Sequence, residues 1–469
     1  CRMLALENHG DSSRRLSVTA FVQWAFHSAG ENRLLHQGEN EGIVWVRHAA
    51  AQDIAYVTLP GHTVTYTTDA LAFLGNTGPE RPRGMIEPAL DQLGGEAPCA
   101  ALRCALTLAP GERTTLCMLL GQARDPEEAA MHRRLYERPG DRLDAVRALW
   151  NRRLGHIRVC TPDTGLNLML ERWLPYQTTS ARLWARAGFY QAGGAIGFRD
   201  QLQDMLVLLY THPKEVRDHI LEAAAHQFED GDVQHWWHPP TLGVRTRISD
   251  DKLFLPFMTA QYVAATGDRQ ILDEPCPYLR NHTIPPDSED WFGEATPTDY
   301  VAPLREHCLR AIDHVALGPH GLPLMGTGDW NDAMSHVGPG GQGESVWLGF
   351  FHIATLQAFA PLCPEDLRQA LLERARTLLE SAESHAWDGA WYRRAWFDDG
   401  QVIGSAQSPE CKIDCIAQSW SALAQAAPER TEQAMRAVLE YLVDEKLGII
   451  KLLTPPFDGE LLPGYIRGY

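Results

Sequence analysis

A carboxyl group beside an indole ring and a flexible glycine turn is suited to donate a proton. The chain carries that arrangement in Gly326-Thr327-Gly328-Asp329-Trp330-Asn331-Asp332. Shielding from water favours the acid form of a carboxyl and lifts its pKa toward working pH, as required of a general acid that protonates a departing glycosidic oxygen. Asp332 is the candidate for this role, with Trp330 shaping the subsite; Asp329 is better explained as a buried turn-former bonded to backbone. A second loop, 186–204, ends in Phe198-Arg199-Asp200-Gln201-Leu202-Gln203-Asp204. Its glycines admit close backbone approach to a ligand. Arg199 offers a fork of donors, and Asp200 and Asp204 can accept from sugar hydroxyls. An intramolecular Arg–Asp network joining helices would use the same residue types. A third loop, Gly231-Asp232-Val233-Gln234-His235-Trp236-Trp237-His238-Pro239-Pro240, is followed by charged residues up to Asp251. Flat amphipathic rings stack on sugar faces, so Trp237 and His238 are candidate substrate contacts. The His and Asp spacing there lacks the order of a compact metal site, and no metal is expected. In a fourth loop, Glu410, Lys412, Asp414 and Gln418 lead into a helix, where an internal packing network explains them more simply than substrate contact.

These loops need elements to hold them. Residues 16–24 alternate apolar and polar with a period of two, and 43–46, 55–59, 64–68, 102–108 and 114–120 are further short β-rich runs. Glycine and proline punctuate them, which fits an antiparallel β-sandwich over 1–124. Asp125-Pro126-Glu127-Glu128 is a helix start, with a capping aspartate, a proline in the first turn and acids beside the positive helix end. It opens a helical linker over 125–159. From 160 to 469 the pattern is largely helical, with helices expected over 166–186, 201–210, 214–227, 252–266, 303–316, 344–359, 365–385, 412–426 and 430–445. Helices alternating with loops rich in Gly, Trp, His and Asp suit a toroid of helical hairpins whose loops line a cleft.

The formal net charge of −18 argues against nucleic acid or an acidic membrane as partner and leaves a neutral substrate compatible. No apolar run approaches the roughly 20 residues of a spanning helix. Ten cysteines without a Cys-x-x-Cys pair fit reduced thiols in a cytoplasmic setting, or on the cytoplasmic side of an inner-membrane parent.

Taken in order, GGAIGFRDQLQD, GDVQHWWHPP, GTGDWNDAM, GESVWLGFF and IDCIAQSW resemble the cellobiose-phosphorylase family, glycoside hydrolase family ninety-four. The stretch Trp173-Leu174-Pro175-Tyr176-Gln177-Thr178 and the segment Thr454-Pro455-Pro456-Phe457-Asp458 are closer to the C-terminal phosphorylase-like region of cyclic β-1,2-glucan synthases. The resemblance implies a β-sandwich, a helical linker and an (α/α)6 barrel. It implies inverting phosphorolysis of β-glucans, β-1,2-linked by the nearer likeness, with inorganic phosphate as co-substrate and no other cofactor. By motif position Asp332 is the acid, Arg199 and Asp200 bind the sugar, and Arg186 is similar to a phosphate-contacting arginine. Ala333 stands where the family often has glycine. The family continues beyond a Pro-Gly stretch into further phosphate-binding residues, whereas this sequence stops at Tyr469. On that reading the chain is cut short at both ends, the barrel is incomplete, and the isolated piece is inactive. A homodimer and a parent carrying glucan-synthase domains are the expected associations.

Two other functions fit the same residues. An inverting hydrolase would use Asp332 as acid and Asp200 or Glu344 as base, the two carboxyls about 6.5–9.5 Å apart to leave room for water. A glucan-binding region of a synthase would need no acid.

Overall fold

In the first part of the chain the period-two pattern becomes two packed sheets. The computed structural model describes residues 1–24, 35–49, 52–87, 89–92, 94–95, 97–187, 193–280 and 283–468. Strands β1 (Arg2–Glu7), β2 (Arg14–Gln23), β3 (Leu35–Asn40), β4 (Ile43–His48), β5 (Ile54–Thr58), β6 (Thr65–Asp69), β7 (Asp91–Gln92), β8 (Pro98–Leu108) and β9 (Arg113–Ala123) form this unit. One sheet has the order β1-β9-β5-β4-β3 and the other β2-β8-β6-β7. All pairs are antiparallel except β6 with β7. Val44, Val46, Val57 and Leu116 from the first sheet meet Ala20, Ala100, Leu102 and Cys104 from the second in one core. The unit is therefore a β-sandwich. A short helix, α1 (Ala70–Leu74), follows β6 and is capped by Asp69.

Helix α2 (Pro126–Leu135) starts as its sequence predicts, with the Asp125 carboxylate accepting from Glu128 N at 2.8 Å. Its Ala129 packs with Ile43, Ile54 and Tyr56 on the outer face of the first sheet. After α3 (Pro139–Arg153), the chain divides into two compact units, Cys1–Arg153 and Leu154–Tyr469. The helices expected as a linker thus group with the sandwich up to Arg153.

The second unit is helical. A continuous run, 164–185, contains α4 (Thr164–Leu168) and α5 (Leu174–Gln177) separated by π-helical turns. It is followed by α6 (Phe198–Asp204), α7 (Pro213–Ala224), α8 (Phe254–Thr266), α9 (Leu304–Asp313), α10 (Val346–Phe359), α11 (Glu365–Ser381), α12 (Cys415–Leu423) and α13 (Pro428–Tyr441). Helices α6, α8, α10 and α12 pack in sequence, each against the next; α7 and α9 cover α8, α11 covers α10, and α13 covers α12. Helix α10 is mostly apolar and buried on every side, with Trp347, Phe350, Phe351 and Phe359 among its buried residues. A helix buried all round belongs in an interior layer, whereas α11 buries only Leu371, Ala375 and Leu378 along one stripe. The result is an α/α arc of inner and outer helices. Two strands absent from the sequence expectation, Pro275–Arg280 and Thr296–Pro303, pair between α8 and α9. Among the described residues, no helix is long and apolar enough to cross a membrane.

Candidate active site

The loops entering the inner helices are tied to one another by short β pairings. Ile196 and Gly197, ahead of α6, pair with Trp237 and Trp236 ahead of α8. Ile248 bridges Gly326, ahead of α10, and Glu344–Ser345 pairs with Ala395–Trp396 ahead of α12. Gly326 and Gly328 take φ of 61° and 140°, conformations that L side chains rarely adopt. This places the 326–332 turn against the 247–251 loop, and Ser249 N donates to Gly328 O at 3.0 Å. Phe198 N donates to His235 O at 2.9 Å, setting the first turn of α6 beside the residue that precedes the Trp236–His238 strand.

Five charged side chains converge there. Arg199 is buried; its Nη1 donates to Asp250 Oδ1 at 2.8 Å and to the Asp329 carbonyl at 3.0 Å. Its Nη2 donates to Asp332 Oδ1, and Asp251 Oδ1 lies 3.6 Å from Nη1. His235 Nδ1 bonds Asp251 Oδ2 at 2.7 Å, and its Nε2 stands 3.8 Å from Asp332 Oδ2. Burial pushes the Asp332 carboxyl above the usual range, against the pull of Arg199 and His235. Burial, with Asp251, Asp329 and Asp332 adding to it, pushes Asp250 up to about 7 although Arg199 opposes. Asp251 goes the other way: burial alone would raise it, but His235 and Arg199 hold it below the usual range. Burial disfavours the charged imidazole of His235, yet Asp251 and then Asp332 lift it to about 9. Asp332 keeps 32% of its side chain exposed and also lines an open cavity of 360 Å³ with Trp330, Asn331, Leu452 and Tyr465.

Asp329 serves the turn instead. It is wholly buried; Arg394 donates Nη1 to Oδ2 at 2.6 Å and Nη2 to Oδ1 at 2.7 Å. Ser345 Oγ donates to Oδ2 at 2.6 Å while also capping α10, and Asn331 N donates to Oδ1 at 3.0 Å. Burial notwithstanding, Arg394 holds Asp329 below the usual carboxylate range. Asp414, read with the fourth loop, lies 3.3 Å from Arg394 Nε and caps α12. Glu344 is also wholly buried and accepts from His320 N, His320 Nδ1 and Leu322 N. Both of its oxygens are thereby committed.

The Arg–Asp network near α6 forms around Arg182. Its Nε donates to Asp204 Oδ2 at 2.9 Å, and Nη2 stands 4.0 Å from the half-exposed Asp200. Trp330 is 40% exposed, and its indole donates to Gln203 Oε1 at 3.3 Å. Trp237 corrects the sequence expectation. It is 1% exposed, stacked on His226 at 3.8 Å with Phe198 edge-on. No face is left for a sugar. His238 is half-buried, edge-on to Trp236. Arg186 ends the 164–185 run in a left-handed conformation, φ 47°, and donates to Gly194 O at 2.9 Å and Trp184 O at 3.4 Å; these contacts hold its own loop, not the Asp332 cluster. The rest of that glycine-rich loop, 188–192, lies outside the described residues. Among the described residues, no three or more His, Cys, Asp or Glu side chains group to hold a metal ion.

His235, Asp250, Asp251 and Arg394 were not singled out from sequence. One signal pointed to His235: the Trp236–His238 strand buries alternate residues, and His235 shares the parity of inward-facing Trp237.

Comparison with known proteins gives two family matches. The profile of the glycosyl hydrolase 94 superfamily catalytic domain matches residues 149–469, and that of the glycosyl hydrolase 94 supersandwich domain matches residues 1–139. A cyclic β-(1,2)-glucan synthase of Rhizobium meliloti is 39% identical, over 99% of this chain and 17% of the synthase. A solabiose phosphorylase of Paenibacillus borealis is 29% identical over 99% of this chain and 60% of its own length. An N,N'-diacetylchitobiose phosphorylase of Vibrio furnissii is 27% identical over 93% of this chain and 59% of its own. The chain therefore spans less than two thirds of each of these relatives.

Proposed function

The chain belongs to the glycosyl hydrolase 94 superfamily, and on that premise we propose that it carries out inverting phosphorolysis, or the reverse synthesis, of β-1,2-glucosidic bonds. Asp332 donates its proton to the departing glycosidic oxygen, inorganic phosphate forms the new bond at the anomeric carbon from the opposite face, and α-glucose 1-phosphate leaves with the shortened glucan. The observation that carries this reading is the Asp332 carboxyl: raised by burial, backed by Arg199 and open to the cavity beside Trp330. A dianionic nucleophile needs no carboxylate base, and the two base candidates suit that role poorly. Glu344 has both oxygens bonded, and Asp200 lies beside Arg182. The printed name of the 39% identical synthase supports the β-1,2 linkage, and the phosphorylases among the relatives support the use of phosphate.

The test is release of glucose 1-phosphate from β-1,2-gluco-oligosaccharides by the protein encoded by the full reading frame. Product should require inorganic phosphate, and Asp332→Asn should lower kcat by roughly a thousandfold or more, the scale of losing a positioned proton donor. Turnover that proceeds equally without phosphate would make the protein a hydrolase.

A further inference from the structure

We infer that Asp250 and His235 are positioning residues that set the protonation of Asp332 from opposite sides, Asp250 through a shared guanidinium and His235 by direct approach. The inference rests on the reading of Asp332 as the general acid. Arg199 lies between Asp250 Oδ1, at 2.8 Å, and Asp332 Oδ1, so one cation serves two carboxylates. Asp251 holds His235 at 2.7 Å, and the far nitrogen of that imidazole faces Asp332 Oδ2 at 3.8 Å.

Fully ionised, three carboxylates and two cations leave one surplus negative charge. Arg199, Asp250 and Asp251 are 6%, 0% and 2% exposed. A surplus charge in so dry a place is relieved by taking up a proton. Asp251 is the least suited to accept it, since it already pairs with the imidazolium. Asp250 and Asp332 remain. Asp250 Oδ2 and Asp251 Oδ1 are both buried with no hydrogen-bond partner among the described residues, a costly state for an anion, but Asp251 Oδ1 still has Arg199 Nη1 at 3.6 Å. The proton is thus shared between the two carboxyls that divide Arg199. When Asp250 is neutral, Arg199 turns its full charge on Asp332 and favours the carboxylate. When Asp250 is anionic, it competes for Arg199 and favours the acid.

The other groups facing the pair are accounted for. From the 326–332 turn comes the Asp329 carbonyl, on Arg199 at 3.0 Å, while the Asp329 carboxylate is taken up by Arg394. From the loop ahead of α8 comes Asp251, and from the position just before the Trp236–His238 strand comes His235. The two positioning groups therefore have opposite signs. Removing the Asp250 charge lowers the pKa of Asp332, and removing the His235 charge raises it.

The experiment titrates the Asp332 carboxyl by 13C NMR in full-length protein labelled at the aspartate γ-carbon, with Asp332→Asn identifying the resonance. The midpoint is expected to fall on the order of one pH unit in Asp250→Asn and to rise on the order of one unit in His235→Gln, the size of a neighbouring-charge effect. Midpoints that stay in place, or move in the same direction, overturn the inference. If Asp250→Asn does not fold, His235→Gln decides alone: a rise supports it, and no change or a fall overturns it. The basic limb of the kcat–pH profile should follow the same two directions. The titration needs no substrate. Failure of phosphorolysis would sink the proposed reaction, whereas immobile midpoints in an active enzyme would sink only this inference.

Discussion

His235 shows how a single side chain can serve both the site and the fold. Burial works against its imidazolium, but Asp251 at 2.7 Å and then Asp332 lift the pKa to about 9, against about 6.5 in an unfolded chain. A group whose folded pKa is raised contributes stability that is fully present below the unfolded value. That stability is lost as pH rises through the folded value, here between about 6.5 and 9. The window corresponds to on the order of 3 kcal/mol. Thermal unfolding between pH 7 and pH 9.5 should therefore fall more steeply for the wild type than for His235→Gln; equal slopes would mean the imidazole is not charged in the folded state. Arg394 makes a second case. It is wholly buried against Asp329 and Asp414, and losing one partner of a buried ion pair costs about 3–5 kcal/mol. Arg394→Met should lower stability by that amount in urea titration, and a loss below about 1 kcal/mol would show that the pair is not held as described. Neither role was legible in the sequence. Asp332 could be found because its turn is contiguous: glycines, an indole and two carboxyls within seven positions. Arg199 meets Asp332 across 133 positions and Arg394 meets Asp329 across 65, and no local pattern encodes such distances.

The elements were more legible than the contacts, because capping and periodicity are local. The expected helix 252–266 is observed as α8, Phe254–Thr266, and 344–359 as α10, Val346–Phe359. The strands that reading missed explain themselves. Pro275–Arg280 carries prolines at 275 and 277, which remove ladder donors and weaken a strand signal. The Trp236–His238 strand shows what period-two logic yields when applied strictly: alternate residues face opposite ways, so adjacent tryptophans cannot share a task. Trp237 fills the core and Trp236 the other face. Expecting Trp237 in the sugar site weighs ring type without parity. Two substitutions separate the roles of tryptophan here. Trp237→Ala should cost about 3–5 kcal/mol of stability, as for a buried aromatic. Trp330→Ala, at a side chain 40% exposed on the cavity rim, should leave unfolding within about 1 kcal/mol of wild type while raising KM for the oligosaccharide. A Trp330→Ala variant that loses stability without changing KM would remove this residue from the binding surface.

At the scale of the molecule, charge is the property that reaches furthest. The 469 residues carry a formal net charge of −18, and the cluster that includes Asp332 holds three carboxylates against two cations. A neutral glucan is indifferent to such a field, but the proposed co-substrate is not, because phosphate must approach as an anion. Long-range repulsion is screened over a Debye length of about 30 Å at 0.01 M ionic strength and about 8 Å at 0.15 M. Screening should thus help phosphate more than it weakens any short contact made after arrival, since buried pairs are screened much less than distant surface charges. Raising potassium chloride from about 0.01 to about 0.15 M should lower KM for phosphate while leaving KM for the oligosaccharide unchanged. A KM for phosphate that climbs with salt would mean that a cationic surface near the mouth of the site outweighs the field of the whole chain. Local attraction would then govern capture of the nucleophile, and the acidic bulk of the protein would be incidental to it.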